Sequence, residues 1–139
     1  MNSTNTFQDT TSLVGRVLLA TIFVVSGISK IADPTSTIKL LAGVGMPLPE
    51  VAYGITVLLE VVGGLFLMFG YRVRFPALAL ALFSVAAGLL FHGQFGDQNQ
   101  FAHLLKNISM AGGLLHIAAF GPGALSVGRK PVNVAPNLA

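Results

Sequence analysis

Residues 51–70 read VAYGITVLLEVVGGLFLMFG, an apolar segment with one charged side chain, Glu60, near its middle. About 20 apolar residues let a helix cross the roughly 30 Å hydrocarbon layer of a bilayer. A charge at that depth costs roughly 2.5–3.5 kcal/mol on insertion scales, measured for the related Asp, Lys and Arg. Such a group normally faces the interior of a helix bundle and finds a partner there, so the surroundings of Glu60 decide how the segment is used.

The composition of the chain indicates an integral membrane protein. Its 139 residues are 53% hydrophobic and 9% charged, and the mean hydropathy is +0.77. A soluble domain carries about 25% charged residues, so this chain has too few to cover a water-facing surface. The net charge of +3 comes from scattered basic residues and gives no indication of nucleic-acid binding. The chain has no cysteine, which excludes disulfides, thiolate metal sites and a cysteine nucleophile.

Four apolar segments predict an all-α integral membrane fold, a four-transmembrane-helix bundle. They are Leu13–Ala32, Val51–Gly70, Phe75–His92 and Ala102–Gly121. Helices are required because four segments cannot close a barrel. Residues 1–12 form a polar N-terminal segment without the basic start of a signal peptide, and residues 13–121 form the transmembrane domain. Residues 122–139 are expected to be an irregular cytoplasmic tail.

The connection between the first and second spans predicts a short extra helix. Asp33 followed by Pro34 is a good helix start, because Asp caps free backbone N–H groups and Pro suits the first turn. Ile38 and Leu41 would then cover one side of this helix. We expect it to be interfacial or re-entrant.

Basic residues predict the direction of the bundle. Arg72 and Arg74 lie in the turn between the second and third spans, and the tail adds Arg129 and Lys130. If four helices alternate, both groups lie on one side, and the positive-inside rule places that side and both termini in the cytoplasm. Two lysines on the opposite side weigh against this orientation.

Helical periodicity and side-chain direction bring five polar residues to one level of the bundle. Helical side chains lean towards the N-terminus of their own helix. Lys30 and His92 therefore lean back into the membrane from the outer ends of their helices. Lys106, with Asn107 beside it, lies about 7 Å outward of the midplane at 1.5 Å per residue. Glu60 leans towards the same level, which predicts a ligand-binding cluster or a buried ion pair in the outer half of the bundle.

Each member of this cluster also has a purely structural explanation. Glu60 could form an ion pair with Lys30 or Lys106 that only holds helices together. Lys30 could extend to the outer headgroups, and His92 could cap the end of its helix. Two lysines against one glutamate would leave one net positive charge, which favours an anionic ligand or a polar, quinone-like headgroup. Buried Glu and His can also titrate near neutrality, so proton transfer stays an alternative.

Other residues on the inward faces have simpler interpretations. Ser84 and Gly88, like Ser109 and Gly113, follow the small-xxx-small spacing that lets membrane helices pack closely. Arg16 leans away from the cluster, about 21 Å from Lys30 along the axis, and is expected to reach cytoplasmic headgroups. Arg16, Arg72 and Arg74 would together anchor the cytoplasmic side. No two histidines have helical metal-site spacing and one carboxylate lies nearby, so no metal is expected.

Several motifs, in this order, resemble the DoxX family, in particular its YphA-like inner-membrane branch. They are Gly15-Arg16, Phe23, SGISKI at 26–31, GMPLP at 45–49, LEV at 59–61, Gly63-Gly64, His92, LKNISMAGG at 105–113 and GPGALS at 121–126. The resemblance covers about residues 13–130. It implies a four-helix protein of the bacterial cytoplasmic membrane, and Arg16, Lys30, Glu60, His92, Lys106 and Asn107 match the family pattern.

The resemblance also implies a membrane redox setting. Some family members are linked to thiosulfate oxidation that feeds quinone, others to a membrane-bound oxidative-stress complex. The first hypothesis is a redox-associated accessory subunit that binds quinone or a similar amphiphile. Quinone is then the candidate cofactor, and the lipid bilayer surrounds the protein. A scaffold for soluble oxidative-stress enzymes is the second. A solute or proton pathway is the third and would need a homo-oligomer. The chain has no cofactor motif and no nucleophile–base pair, so catalysis by this chain alone is not expected.

Overall fold

The computed structural model describes residues 3–93 and 95–127, and these residues form five helices and no strand. The helices are α1 (Ser3–Ala32), α2 (Pro34–Gly43), α3 (Pro49–Phe69), α4 (Arg74–His92) and α5 (Gln98–Phe120). Arg129, Lys130 and the rest of the predicted tail after residue 127 lie outside the described residues.

The predicted spans correspond to α1, α3, α4 and α5; α4 starts one residue earlier than predicted and α1 ten residues earlier, and both end at the predicted residue. Helix α1 begins at Ser3, so most of the polar N-terminal segment forms its first turns. The segments Thr6–Ala32, Pro49–Phe69 and Arg74–His92 are long and apolar enough to cross a membrane. Helix α5 has 23 residues but carries several polar side chains, among them His103, Lys106, Asn107 and His116. These side chains lower its hydropathy, so the fourth span stays a prediction.

Large hydrophobic side chains cover the outside of the helices. Phe75 is 80% exposed, Leu82 73% and Leu18 69%. Monomeric soluble proteins rarely expose contiguous apolar surface on this scale. The exposed side chains fit a surface that contacts lipid tails.

The long helices pack as two antiparallel pairs, α1 with α3 and α4 with α5. Helix α3 also contacts α4, and the core lies between the pairs, where Ala20, Leu67, Leu80 and Leu114 are fully buried. Contact between α1 and α5 is much smaller. The gap between α1 and α5 is therefore the side on which the bundle is least closed.

Helix α3 contains a π turn at Leu59–Gly63, which includes Glu60. Single π turns inside α-helices are rare and occur often at functional sites. Gly27 of α1 lies against this turn, because a Cβ on Gly27 would come within 2.6 Å of Val61 Cγ2 and 3.2 Å of Glu60 Cβ. The missing side chain lets α1 approach α3 at the level of Glu60.

The short helix α2 begins as its sequence predicts. Asp33 caps it by accepting a hydrogen bond from the backbone N–H of Ser36 at 3.1 Å, and Pro34 is its first residue. Hydrogen bonding to Ser36 holds the pKa of Asp33 below its usual value. Leu41 is buried, and α2 packs on α3. Its placement at the membrane surface stays a prediction.

We predict that Gly27→Ala destabilises the bundle, whereas Gly15→Ala does not. A methyl group on Gly27 collides with the π turn, and overpacking of this kind costs about 1–3 kcal/mol. A Cβ on Gly15 meets no atom within 4 Å, so its replacement should gain up to about 1 kcal/mol of helix propensity. Thermal unfolding in detergent, followed by circular dichroism, measures both. Equal unfolding temperatures for the two variants would contradict the close approach at Gly27.

Candidate functional site

Lys30 of α1 and Glu60 of α3 form a buried ion pair. Lys30 Nζ lies 2.8 Å from Oε2 and 2.9 Å from Oε1 of Glu60. The Glu60 side chain is 5% exposed and the Lys30 side chain 25%. Both carboxylate oxygens therefore accept from the same ammonium group, which neutralises the carboxylate in the interior.

Ser26 completes this interaction from the same face of α1. It lies four residues before Lys30, a spacing that places two helical side chains next to each other. Ser26 Oγ donates to Glu60 Oε1 at 3.1 Å and accepts from Lys30 Nζ at 2.7 Å. Tyr53 of α3 donates its hydroxyl to the backbone oxygen of Lys30 at 3.3 Å, which ties the end of α1 to α3 again.

The ion pair lies in the wall of a cavity of about 590 Å³ that all five helices line. This volume is within the roughly 300–1,000 Å³ of known small-molecule sites. The apolar wall includes Phe23, Leu41, Phe83, Leu90, Phe91 and Met110. The polar lining includes Ser26, Lys30, Thr56, Glu60, Ser84, His92, Gln100, Lys106 and Asn107. A few polar groups on apolar walls are typical of sites that bind amphiphilic molecules.

The five residues of the predicted cluster all line this cavity, but Lys106 and Asn107 do not contact Glu60. Lys106 Nζ lies 3.3 Å from Nδ1 of His103, and Asn107 Nδ2 donates to the backbone oxygen of His103 at 3.0 Å. In residues 3–93 and 95–127 the one ion pair is that of Lys30 with Glu60. Helix α5 packs mainly on α4, whereas Glu60 pairs with α1, and Lys106 is exposed.

His92 lies at the end of α4 in the cavity lining and contacts two residues that sequence reasoning missed, Gln100, which also lines the cavity, and His103, which does not. His92 Nδ1 lies 2.6 Å from Gln100 Oε1, and its ring stacks on His103 with 4.9 Å between centroids. His103 precedes Lys106 by three residues and Asn107 by four, so helical spacing was a usable signal for it. Helical spacing gives no such signal for Gln100, because Gln100 lies on α5 and His92 on α4, and the loop between the two helices brings them together.

Ser84 of α4 is a buried polar group without a partner. It is 1% exposed, and its hydroxyl has no hydrogen-bond partner among the described residues. Leaving a buried polar group unpaired costs about 1–3 kcal/mol, and such groups are uncommon in folded proteins. The sequence predicts only close helix packing for Ser84, and packing alone does not explain why its hydroxyl is left without a partner.

Arg16 is buried against backbone oxygens instead of reaching towards headgroups. It is 2% exposed, and its guanidinium donates to Met68 O at 3.4 Å, to Leu125 O at 2.8 Å and to Pro122 O. A guanidinium has five N–H donors in a rigid fork, so it can bind several carbonyls together. Met68 lies at the C-terminal end of α3, where a cation is favoured. Arg16 therefore fastens the segment after α5 to α1 and α3.

The other two predicted anchors lie on the surface. Arg72 and Arg74 are exposed, and the Arg72 guanidinium lies 5.6 Å from the centroid of the Tyr71 ring. Their role as a cytoplasmic anchor stays a prediction. Within the described part of the chain, no three His, Asp or Glu side chains gather closely enough to hold a metal ion.

Comparison with known proteins adds a family match. The DoxX family model matches residues 11–93, which contain Arg16, Lys30, Glu60 and His92. Inner membrane protein YqjF of Escherichia coli is 35% identical over 125 residues, 88% of this chain and 92% of YqjF. Inner membrane protein YphA of the same organism is 28% identical over 123 residues, 85% of this chain and 88% of YphA. No solved structure matches the chain.

We predict strong coupling between Lys30 and Glu60. Lys30→Met leaves a carboxylate that is 5% exposed without its partner, and breaking a buried pair in this way costs about 3–5 kcal/mol. Glu60→Gln should cost less, because Lys30 is partly exposed and can extend towards the surface. The double variant should recover part of the loss of Lys30→Met. Unfolding temperatures in detergent give the double-mutant cycle, with exposed Lys39→Met as control, and simple additivity would contradict a coupled pair.

We predict that Arg16→Met releases the segment after α5. The change leaves three backbone oxygens without their donor, and each unpaired group costs about 1–3 kcal/mol where it is buried. Hydrogen exchange at the amides of Ala124 and Val127, which bond to Asp9 and Phe69, should become faster. Arg74→Met is the matched control because Arg74 is exposed. Unchanged exchange in Arg16→Met would show that other contacts hold the segment.

Proposed function

Since this chain belongs to the DoxX family of small membrane proteins, we propose that it is a redox-associated accessory subunit that binds a quinone-like amphiphile beside Lys30 and Glu60. The observation that carries the proposal is the cavity of about 590 Å³. All five helices build it, its walls are mostly apolar, and its buried carboxylate is already neutralised. Such a site suits a molecule with a flat polar head and an apolar tail.

The electrostatics of the cavity favour an uncharged head. Lys30 and Glu60 compensate each other, and three hydrogen bonds satisfy the carboxylate before any ligand binds. A charged head beside the ion pair would lose its hydration without gaining a free countercharge there. Lys106 lines another part of the cavity, is exposed and forms no ion pair among the described residues, so it can donate to a carbonyl oxygen of the head. A quinone ring loses little on desolvation, and its carbonyl oxygens accept hydrogen bonds from hydroxyl donors.

The gap between α1 and α5 supports entry from the lipid. The cavity is lined by Ile22, Phe23 and Ser26 on one side of this gap and by Lys106 and Met110 on the other. Because the two helices share little contact, a tail can extend between them into the hydrocarbon while the head lies at the ion pair. This geometry fits a ligand that dissolves in the bilayer.

The same proposal includes the membrane placement of the chain. We infer that α5 is the fourth span, because Asn107 is half-buried in the cavity lining and the exposed Lys106 can extend towards the membrane surface. The exposed turn with Arg72 and Arg74 then lies in the cytoplasm with both termini. YqjF and YphA are inner membrane proteins by name, and we propose the same membrane for this chain.

A scaffold function has a separate structural basis. The turn after α3 presents Arg72 and Arg74 to solvent, and Phe66 holds it through an edge-on contact with Tyr71 at 5.3 Å between centroids. A fixed basic turn could dock a soluble partner with an acidic surface, such as an oxidative-stress enzyme. Pull-downs from native membranes that lose a companion protein in an Arg72→Gln, Arg74→Gln variant would favour this function.

We predict that a short-chain ubiquinone raises the unfolding temperature of the purified protein. Each variant is compared with its own ligand-free sample, so that differences in stability cancel. Glu60→Gln disturbs the ion pair and Lys106→Met the opposite wall, and both should weaken binding about tenfold or more, as expected for about 1.4 kcal/mol or more. Lys39→Met is the control, since Lys39 lies outside the cavity lining. A wild-type protein that does not respond, or equal responses in all variants, would overturn the proposed site.

A further inference from the structure

We propose that the Ser84 hydroxyl donates a hydrogen bond to a carbonyl oxygen of the bound head and makes the cavity selective for heads that carry such an oxygen. This inference rests on the proposed function of the cavity. It assigns to Ser84 a role in recognition, although the small-xxx-small spacing of the sequence indicates only helix packing.

The hydroxyl of Ser84 differs from three exposed helical hydroxyls of the same bundle. Helical Ser and Thr commonly donate to the backbone oxygen four residues earlier. Thr10, Thr21 and Ser29 all do so here, at 2.9, 2.8 and 2.9 Å. Those three residues are exposed, whereas Ser84 is 1% exposed and makes no such bond. Among these four residues, the buried Ser84 is therefore the one whose hydroxyl does not bond to its own helix.

The packing of α3 against α4 places Ser84 beside Glu60. The two helices run antiparallel, and a Cβ on Gly63 would lie 3.5 Å from Leu80. Glu60 is about one turn before Gly63, and Ser84 is about one turn after Leu80. Ser84 and Glu60 therefore lie at the same level, and both line the cavity. Because Ser84 is 1% exposed, a head at the ion pair reaches this hydroxyl when the Ser84 side chain turns towards the cavity.

The hydrogen-bonding capacity that is left over defines the ligand class. Lys30 and Ser26 already direct their donors to Glu60, so the ion pair offers little to a ligand. Ser84 retains an unused O–H donor in a largely apolar wall. The complement of a hydroxyl donor at the level of the ion pair is an acceptor, such as a quinone carbonyl. A head of equal size without oxygen would leave Ser84 unpaired and bind more weakly.

The test combines a ligand pair with a variant pair. The ligands are a short-chain ubiquinone and an alkylbenzene with the same tail, which lacks the carbonyl oxygens. The variants are Ser84→Ala and the control Ser109→Ala, because Ser109 is exposed and lies outside the cavity lining. Ser84→Ala should weaken ubiquinone binding about five- to tenfold, the loss of one net hydrogen bond, and leave alkylbenzene binding unchanged. Ser109→Ala should change neither.

The stability of the ligand-free variants gives a second readout. If Ser84 is unpaired in the empty protein, Ser84→Ala removes a desolvation penalty and should unfold at the same or a higher temperature than wild type. A lower unfolding temperature would mean that the hydroxyl already has a structural partner, such as a bound water, and would overturn the inference. Equal ubiquinone affinity of wild type and Ser84→Ala would overturn it and leave the proposed function intact. A wild type that binds no ubiquinone would overturn both.

Discussion

The ion pair between Lys30 and Glu60 is the interaction on which the other features of the bundle depend. In a low-dielectric interior an uncompensated carboxylate is costly, and its attraction to a nearby ammonium group is correspondingly strong. The pair therefore fixes the register of α1 against α3. Gly27 allows the close approach, the π turn aims Glu60, and Ser26 completes the hydrogen bonds. The balanced charges at this place are the premise of the proposed binding of an uncharged polar head.

Much of the fold follows from the sequence, because helix length, hydropathy and capping are local properties. The Asp33–Pro34 start of α2 and the ends of α4 needed no knowledge of tertiary structure. The common level of the cluster residues along the bundle axis was also accessible, since rise per residue and side-chain direction set it, and all five residues line one cavity. The lateral partner of Glu60 was not accessible. Lys30 and Lys106 lie at similar depths, and only the pairing of α1 with α3 and of α4 with α5 distinguishes them.

Arg16 and Ser84 show a second reason why sequence reasoning stops short of the site. A basic residue near the end of a membrane helix can donate to two kinds of acceptor, lipid headgroups and backbone oxygens. Both are compatible with the same sequence. A serine in a small-residue stripe likewise serves packing or hydrogen bonding. In both cases the deciding quantity is burial, which is 2% exposure for Arg16 and 1% for Ser84. Burial depends on neighbours that are distant in the chain.

The two attachments of α1 have a mechanical consequence. Lys30 ties the C-terminal end of α1 to the middle of α3, and Arg16, about 21 Å away along α1, bonds to Met68 at the C-terminal end of α3. Two attachments this far apart oppose both rotation and sliding of α1 on α3. The α4–α5 hairpin shares only small contacts with α1. A displacement of α5 away from α1 is therefore opposed by fewer helix contacts than a displacement of α3, and the bonds from Arg16 to Pro122 and Leu125 oppose it at one end.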